Sequence, residues 1–223
     1  MATQLGTTAP QKTQPAAITL GGLFLALVVP ELAVLLLRTP PQGGPGFALR
    51  EAIFWAITLA VLLYVAFVEK RPLSSIGFHK PTWRTVLWGL CTAFVMILGI
   101  AIIYGVVFPR LHLAINTSAM AQIMAHPWPV RLLLVLRAAI FEETLYRGYA
   151  IERLTELTGS RIAAALLSCA AFTAVHLSYR GAAQLIVAAF AGLLLTALYL
   201  WRRDLPCNML THFLTDGIAF LLR

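Results

Sequence analysis

This chain of 223 residues is short of charge: 12% of its residues are Asp, Glu, Lys or Arg, while 60% are hydrophobic. A soluble domain carries about 25% charged residues. The shortage excludes a water-facing globule, and a mean hydropathy of +0.82 places the chain in a membrane. Acids are scarcest, nine against 17 bases, for a net charge of +8. The bases sit in short loops between apolar runs, the mark of membrane topology, so the positive balance does not imply a nucleic-acid partner. Strand-type alternation is missing, which excludes a membrane β-barrel. Cys91, Cys169 and Cys207 show no paired spacing, which excludes a disulfide framework and a zinc knuckle. We read them as small packing residues. No internal repeat is visible, which argues against a carrier built from inverted halves.

What is present is a series of apolar runs, each near the 20 residues a helix needs to cross about 30 Å of hydrocarbon. Residues 1–16, rich in Thr, Gln, Ala and Pro, read as a disordered tail. The remainder, 17–223, reads as one all-α, membrane-embedded helical bundle of about seven transmembrane helices. The expected spans are 17–37, 52–68, 85–108, 131–157, 161–178, 182–201 and 205–222. Residues 38–51 read as a Pro/Gly-rich loop, and 109–130 as an interfacial loop with a short amphipathic piece. With seven spans, nine loop bases from Lys12 to Arg203 fall on the N-terminal side and six on the other, which puts the N-terminus in the cytoplasm. Short loops and the lack of a retention signal suggest a bacterial inner-membrane protein.

Against this apolar background a few ionisable residues stand out. Glu31 lies in the first run beside Pro30; Arg137, Glu142, Glu143 and Arg147 in the fourth; His176 in the fifth; His212 and Asp216 in the seventh. Such residues cost free energy in hydrocarbon and usually face a bundle interior or a wet cavity, with partners. Glu143 and Arg147 are spaced i and i+4, so they can pair on one helix face and leave Glu142 about 100° away for other work. His212 and Asp216 share that spacing, as do Phe172 and His176, and Tyr146 falls on the Glu142 face. "LTGSR" at 157–161 reads as a turn. Glu142 lies 17 residues before Gly159 and His176 lies 17 after it, so a helical hairpin brings both to the same height, about 25 Å from the turn. Ala164/Ser168, Ala165/Cys169 and Ala170/Ala174 form small-xxx-small pairs that let the two helices approach. Glu31 reads as structural at the Pro30 break, and His79, His112 and His126 as ordinary loop histidines.

Three signatures stand in order on successive segments: "EETLYR", "FTAVH" and "HFLTD". Together they resemble the CAAX protease and bacteriocin-processing (CPBP, or Abi) family of intramembrane proteases, related to the type II CAAX prenyl endopeptidases. The resemblance covers roughly 131–223. It implies peptide-bond hydrolysis inside a helical bundle, on a peptide or protein tail reached from the lipid. It assigns Glu142 as the base that activates water, His176 as a holder of that water, and His212 with Asp216 as the oxyanion site. Glu143 and Arg147 become a supporting pair; apart from the resemblance, Phe172 reads as a packing wall and Tyr146, one turn from Glu142 on the same face, as a substrate contact. Asp216 departs from the Asn usual in the prenyl-protease branch, which is also described with eight spans. No cofactor is implied. A zinc-dependent form, drawing on Glu142, His176, His212 and Asp216, remains an alternative, though no HExxH is present. A proton-coupled or scaffold membrane protein is the non-enzymatic alternative.

Overall fold

Backbone polar groups have no water to turn to in hydrocarbon, so apolar runs fold as helices that satisfy themselves. The structure, a computed structural model, describes residues 15–37, 45–114, 117–177 and 183–222, and the regular elements among them are all helical. Helices α1 (Ala16–Leu27) and α2 (Val29–Leu37) are one apolar run interrupted at Val28. Pro30, which lacks an N–H, stands just beyond the interruption. Helix α3 (Pro45–Leu63) continues through a π-helical turn at Tyr64–Val68. Helix α4 (Trp83–Ile102) runs on through a π-helical turn, Ile103–Val107, to Arg110. A short α5 (Thr117–Met124) occupies the loop where an amphipathic piece was expected. Helix α6 begins at Trp128–Glu142, becomes π-helical over Glu143–Ala150 and ends with Ile151–Thr158. Helices α7 (Arg161–Val175), α8 (Gln184–Arg202) and α9 (Leu205–Leu221) complete the described chain.

Among the described residues four stretches are long and apolar enough to cross a membrane: Ala16–Leu36, Gly46–Val68, Trp83–Arg110 and Gln184–Arg202. That is fewer than the seven spans expected. The long helices outside this set are α6, α7 and α9, which are the three that carry the motif residues. Charge lowers the hydropathy of α6, and α7 and α9 are short.

Two expectations need correcting. The loop assigned to 38–51 is too long, because α3 already begins at Pro45. Proline is preorganised for a first helical turn. Arg50 and Glu51 lie inside that helix as an ion pair, 3.5 Å apart, and so do not mark a loop. At the N-terminal end Ala16, assigned to the tail, is the first residue of α1; the rest of that expected tail, residues 1–14, lies outside the described residues.

The core is built where α1, α3 and α6 meet, around Leu23, Ala26, Phe54, Val61, Phe141, Leu145 and Tyr149. The packing there is close: a Cβ on Gly22 would stand 1.6 Å from the Tyr149 hydroxyl. The turn at Gly159 has φ +69°, the left-handed conformation that glycine adopts without strain, and it reverses α6 into α7 as "LTGSR" suggested. At this end of the bundle a set of polar ties joins three loops. Glu69 pairs with Arg153 at 2.5 Å, Arg71 with Glu156, and Arg203 with Glu152 at 2.5 Å, while the Leu205 N–H donates to the Gly77 carbonyl at 2.8 Å.

Candidate active site

The site begins with the change of helical pitch at Glu143. A π-helical stretch often marks a functional position, because it widens the helix and re-aims side chains. All eight residues from Glu143 to Ala150 are buried. The expected pair forms: Arg147 Nη1 donates to Glu143 Oε1 at 2.9 Å. Both side chains are 1% exposed or less, so each charge depends on the other. Arg147 also donates to the Gly192 carbonyl at 3.4 Å, and its guanidinium lies 4.0 Å from the Phe172 ring centroid. A Cβ at Gly192 would stand 3.0 Å from that ring, so the glycine lets α8 approach α7 closely.

Glu143 has further partners that the sequence reading did not give it. His212 Nδ1 lies 2.9 Å from Glu143 Oε1, and Asn208 Nδ2 donates to Oε2 at 3.2 Å. Asn208, one turn before His212 on α9, also donates to the Leu195 carbonyl at 2.8 Å. Spacing alone had tied His212 to Asp216. In the structure the closer carboxylate is Glu143, and Asp216 Oδ2 stands 3.5 Å from His212 Nε2. The i, i+4 rule sees one helix only, and the stronger contact comes from another.

Glu142 is the acid left over. Its ion-pair contact among the described residues is His212 Nε2 at 3.9 Å, too far for a hydrogen bond. His176 follows the last residue of α7, with Nδ1 2.7 Å from the Phe172 carbonyl. A carbonyl only accepts, so Nδ1 carries the proton and Nε2 is left as an acceptor. The His176 and Phe172 rings meet tilted by 50°, 4.7 Å between centroids, and Tyr146 meets Phe172 edge-on at 5.4 Å.

A cavity of about 340 Å³ brings these residues together. Glu142, Tyr146, Phe172, His176, His212 and Asp216 all line it. Glu142 from α6 and His176 from the end of α7 thus line the same cavity. Ala164, Ser168, Ala165 and Cys169 are buried as expected, and Ser168 Oγ donates to the Tyr146 carbonyl at 2.5 Å. Ala170 and Ala174 are exposed and take no part in this packing.

Other expectations change. Arg153, counted as a loop base, is buried and bound to Glu69, with Tyr149 donating to the same carboxylate at 2.6 Å. Arg137, unassigned from the sequence, pairs with Glu51 at 2.9 Å. Glu31 lines the cavity, and so does His126, which stacks on Phe47 at 4.7 Å. Arg153, Arg137 and His126 each meet a partner distant in sequence, which no local spacing reveals.

Fold and site together define an integral membrane protein of helical architecture, with a polar pocket of carboxylates and imidazoles enclosed among its helices. Residues 124–218 match the family described as type II CAAX prenyl endopeptidase Rce1-like, so it is in this segment that the chain is similar to the CAAX proteases. No curated protein and no solved structure matches it.

Proposed function

We propose that the chain is a glutamate-dependent intramembrane endopeptidase that cleaves a peptide or protein tail within the 340 Å³ cavity. One observation carries this reading. Of the two adjacent acids, Glu143 is saturated by Arg147, His212 and Asn208, whereas Glu142 faces the cavity without a hydrogen bond among the described residues.

The chemistry follows from the donors and acceptors. Glu142 takes a proton from water, and the oxygen attacks the scissile carbonyl. His176 Nε2, the free acceptor, orients that water. His212 Nδ1 donates to Glu143, so Nε2 donates to the tetrahedral oxyanion only when the ring is an imidazolium. Glu143, Glu142 and Asp216 surround the ring with the negative charge that this state requires. Asp216 thereby serves His212 and need not donate a hydrogen bond itself. Glu142 then passes its proton to the leaving amine as the C–N bond breaks. General-base catalysis contributes about 10²–10⁴-fold, and an oxyanion donor about 2.7–4 kcal/mol.

In this reading the seven long helical segments all traverse the bilayer of a bacterial inner membrane, with the basic end cytoplasmic. The site works without a metal. The test is cleavage of an unbiased peptide library by purified protein, with and without a strong chelator. We expect Glu142→Gln to lower the rate by at least about 10²-fold at unchanged expression, and chelation to leave the wild type active. Equal activity of the variant would overturn the glutamate mechanism; loss on chelation would favour the zinc form.

A further inference from the structure

The cavity has a second polar wall, built from residues that the proposed chemistry does not use. Arg50 and Arg137 both line it, from α3 and α6. Between them stands Glu51, whose Oε2 accepts from Arg137 Nε at 2.9 Å and whose Oε1 lies 3.5 Å from Arg50 Nη2. One carboxylate thus serves two guanidiniums and leaves one positive charge over. Their side chains are 15–17% exposed, in a setting where an uncompensated charge is costly.

The hydrogen bonding is incomplete as well. Among the described residues, buried Arg50 Nε and Glu51 Oε1 have no hydrogen-bond partner. Among the described residues Arg137 bonds only through Nε, which leaves its two terminal nitrogens for the cavity. Aromatic faces fix both guanidiniums: Arg50 over Phe47 at 5.4 Å, and Arg137 over Phe54 at 4.9 Å and Phe141 at 6.0 Å. Arginines held in this way, with fork nitrogens open, are suited to bidentate capture of a carboxylate. The carboxylates lining the cavity, Glu31, Glu142 and Asp216, repel such a group, and the His212 imidazolium of the proposed chemistry is already ringed by Glu142, Glu143 and Asp216. An incoming anion is therefore confined to the arginine wall.

We infer that Arg50 and Arg137, braced by Glu51, form a subsite that binds a carboxylate of the substrate and sets how the chain lies across Glu142. The inference rests on the reading of this cavity as a substrate cleft. Arg137 and Glu142 lie five residues apart on one α-helical stretch, about 7.5 Å along its axis. An extended peptide spans about 3.3 Å per residue, so with the reach of the side chains the bound carboxylate lies on the order of two to four residues from the scissile bond. Its source is either the free C-terminus or an acidic side chain.

The probes are dansyl-Leu-Val-Ala-Leu as free acid and as amide, and dansyl-Leu-Val-Glu-Leu-amide against its Gln analogue. Binding is read by fluorescence anisotropy on the full chain in detergent micelles, in the Glu142→Gln background so that nothing is cleaved. We expect one carboxylate-bearing member to bind at least tenfold more tightly than its amide. The pair that discriminates identifies the source. Arg50→Gln and Arg137→Gln should each shrink the ratio below threefold, whereas Arg50→Lys, which keeps the charge, should retain part of it. The variants' elution in size exclusion checks their folding. If neither pair discriminates, or if discrimination survives in both Gln variants, the subsite is wrong. The proteolytic reading fails separately, if wild-type protein cleaves no member of the library although the acid/amide discrimination is present.

Discussion

Two adjacent glutamates illustrate how neighbouring side chains of one type acquire different tasks. Glu143 lies fully buried, and Arg147, His212 and Asn208 between them occupy both of its oxygens. Glu142, one residue earlier, keeps its oxygens toward the cavity. The first pairing was legible because both partners lie on one helix at a fixed interval. The His212 and Asn208 bonds were not, because they depend on how α9 sits against α6. This dependence has a measurable consequence. Arg147→Met leaves a buried carboxylate without its guanidinium, and we expect a loss of about 3–5 kcal/mol, read as a lowered Tm in detergent. Adding Glu143→Gln removes the stranded charge and should recover part of the Tm. Activity should stay low, because His212 then lacks the carboxylate that orients it.

At the scale of elements, helix α6 does most of the positioning, and its π-helical stretch was not foreseen. Nothing in the spacing of "EETLYRGY" separates i→i+5 from i→i+4 hydrogen bonding; the distinction arises from what packs around it. Part of that packing is α1. Gly22 presents a bare backbone to Tyr149, whose hydroxyl donates to Glu69, and Glu69 in turn holds Arg153. We expect Gly22→Val to displace Tyr149 and loosen this tie. The Tm should fall by more than in Gly105→Val, where a Cβ meets nothing within 4 Å. The rate should fall with it, since the same helix carries Glu142. The turn between α6 and α7 was legible, because Gly159 marks it; the equal counts on either side assumed α-helical rise throughout and so left out the π-helical stretch. The wall of Arg50, Glu51 and Arg137 was not legible, because Arg50 and Glu51 had been read as the end of a loop.

For the whole molecule, composition alone decided the helical class and the membrane setting. It was less informative about the number of crossings. Hydropathy singles out four stretches, and the helices that carry the site are the ones their own polar residues disguise. The polar ties at one end are more telling. Glu69 with Arg153, Arg71 with Glu156, and Arg203 with Glu152 gather the loops that follow α3, α6 and α8. In the proposed orientation this end faces the cytoplasm. Single cysteines at Lys80 and Arg203, placed in a chain freed of its native cysteines, should resist an impermeant maleimide in intact cells and react in inverted vesicles. One at His112 should show the opposite pattern. Labelling of all three from the same side would overturn the arrangement.

Glu143 also has a mechanical meaning. Two of its three ligating side chains belong to α9, the last described helix, and a third to its own helix α6. Drawing the C-terminus out of the membrane would strand a bare carboxylate in oil. A single-molecule pulling trace should therefore show α9 yielding late and in one rupture together with α6, and Glu143→Gln should split that event into two smaller ones.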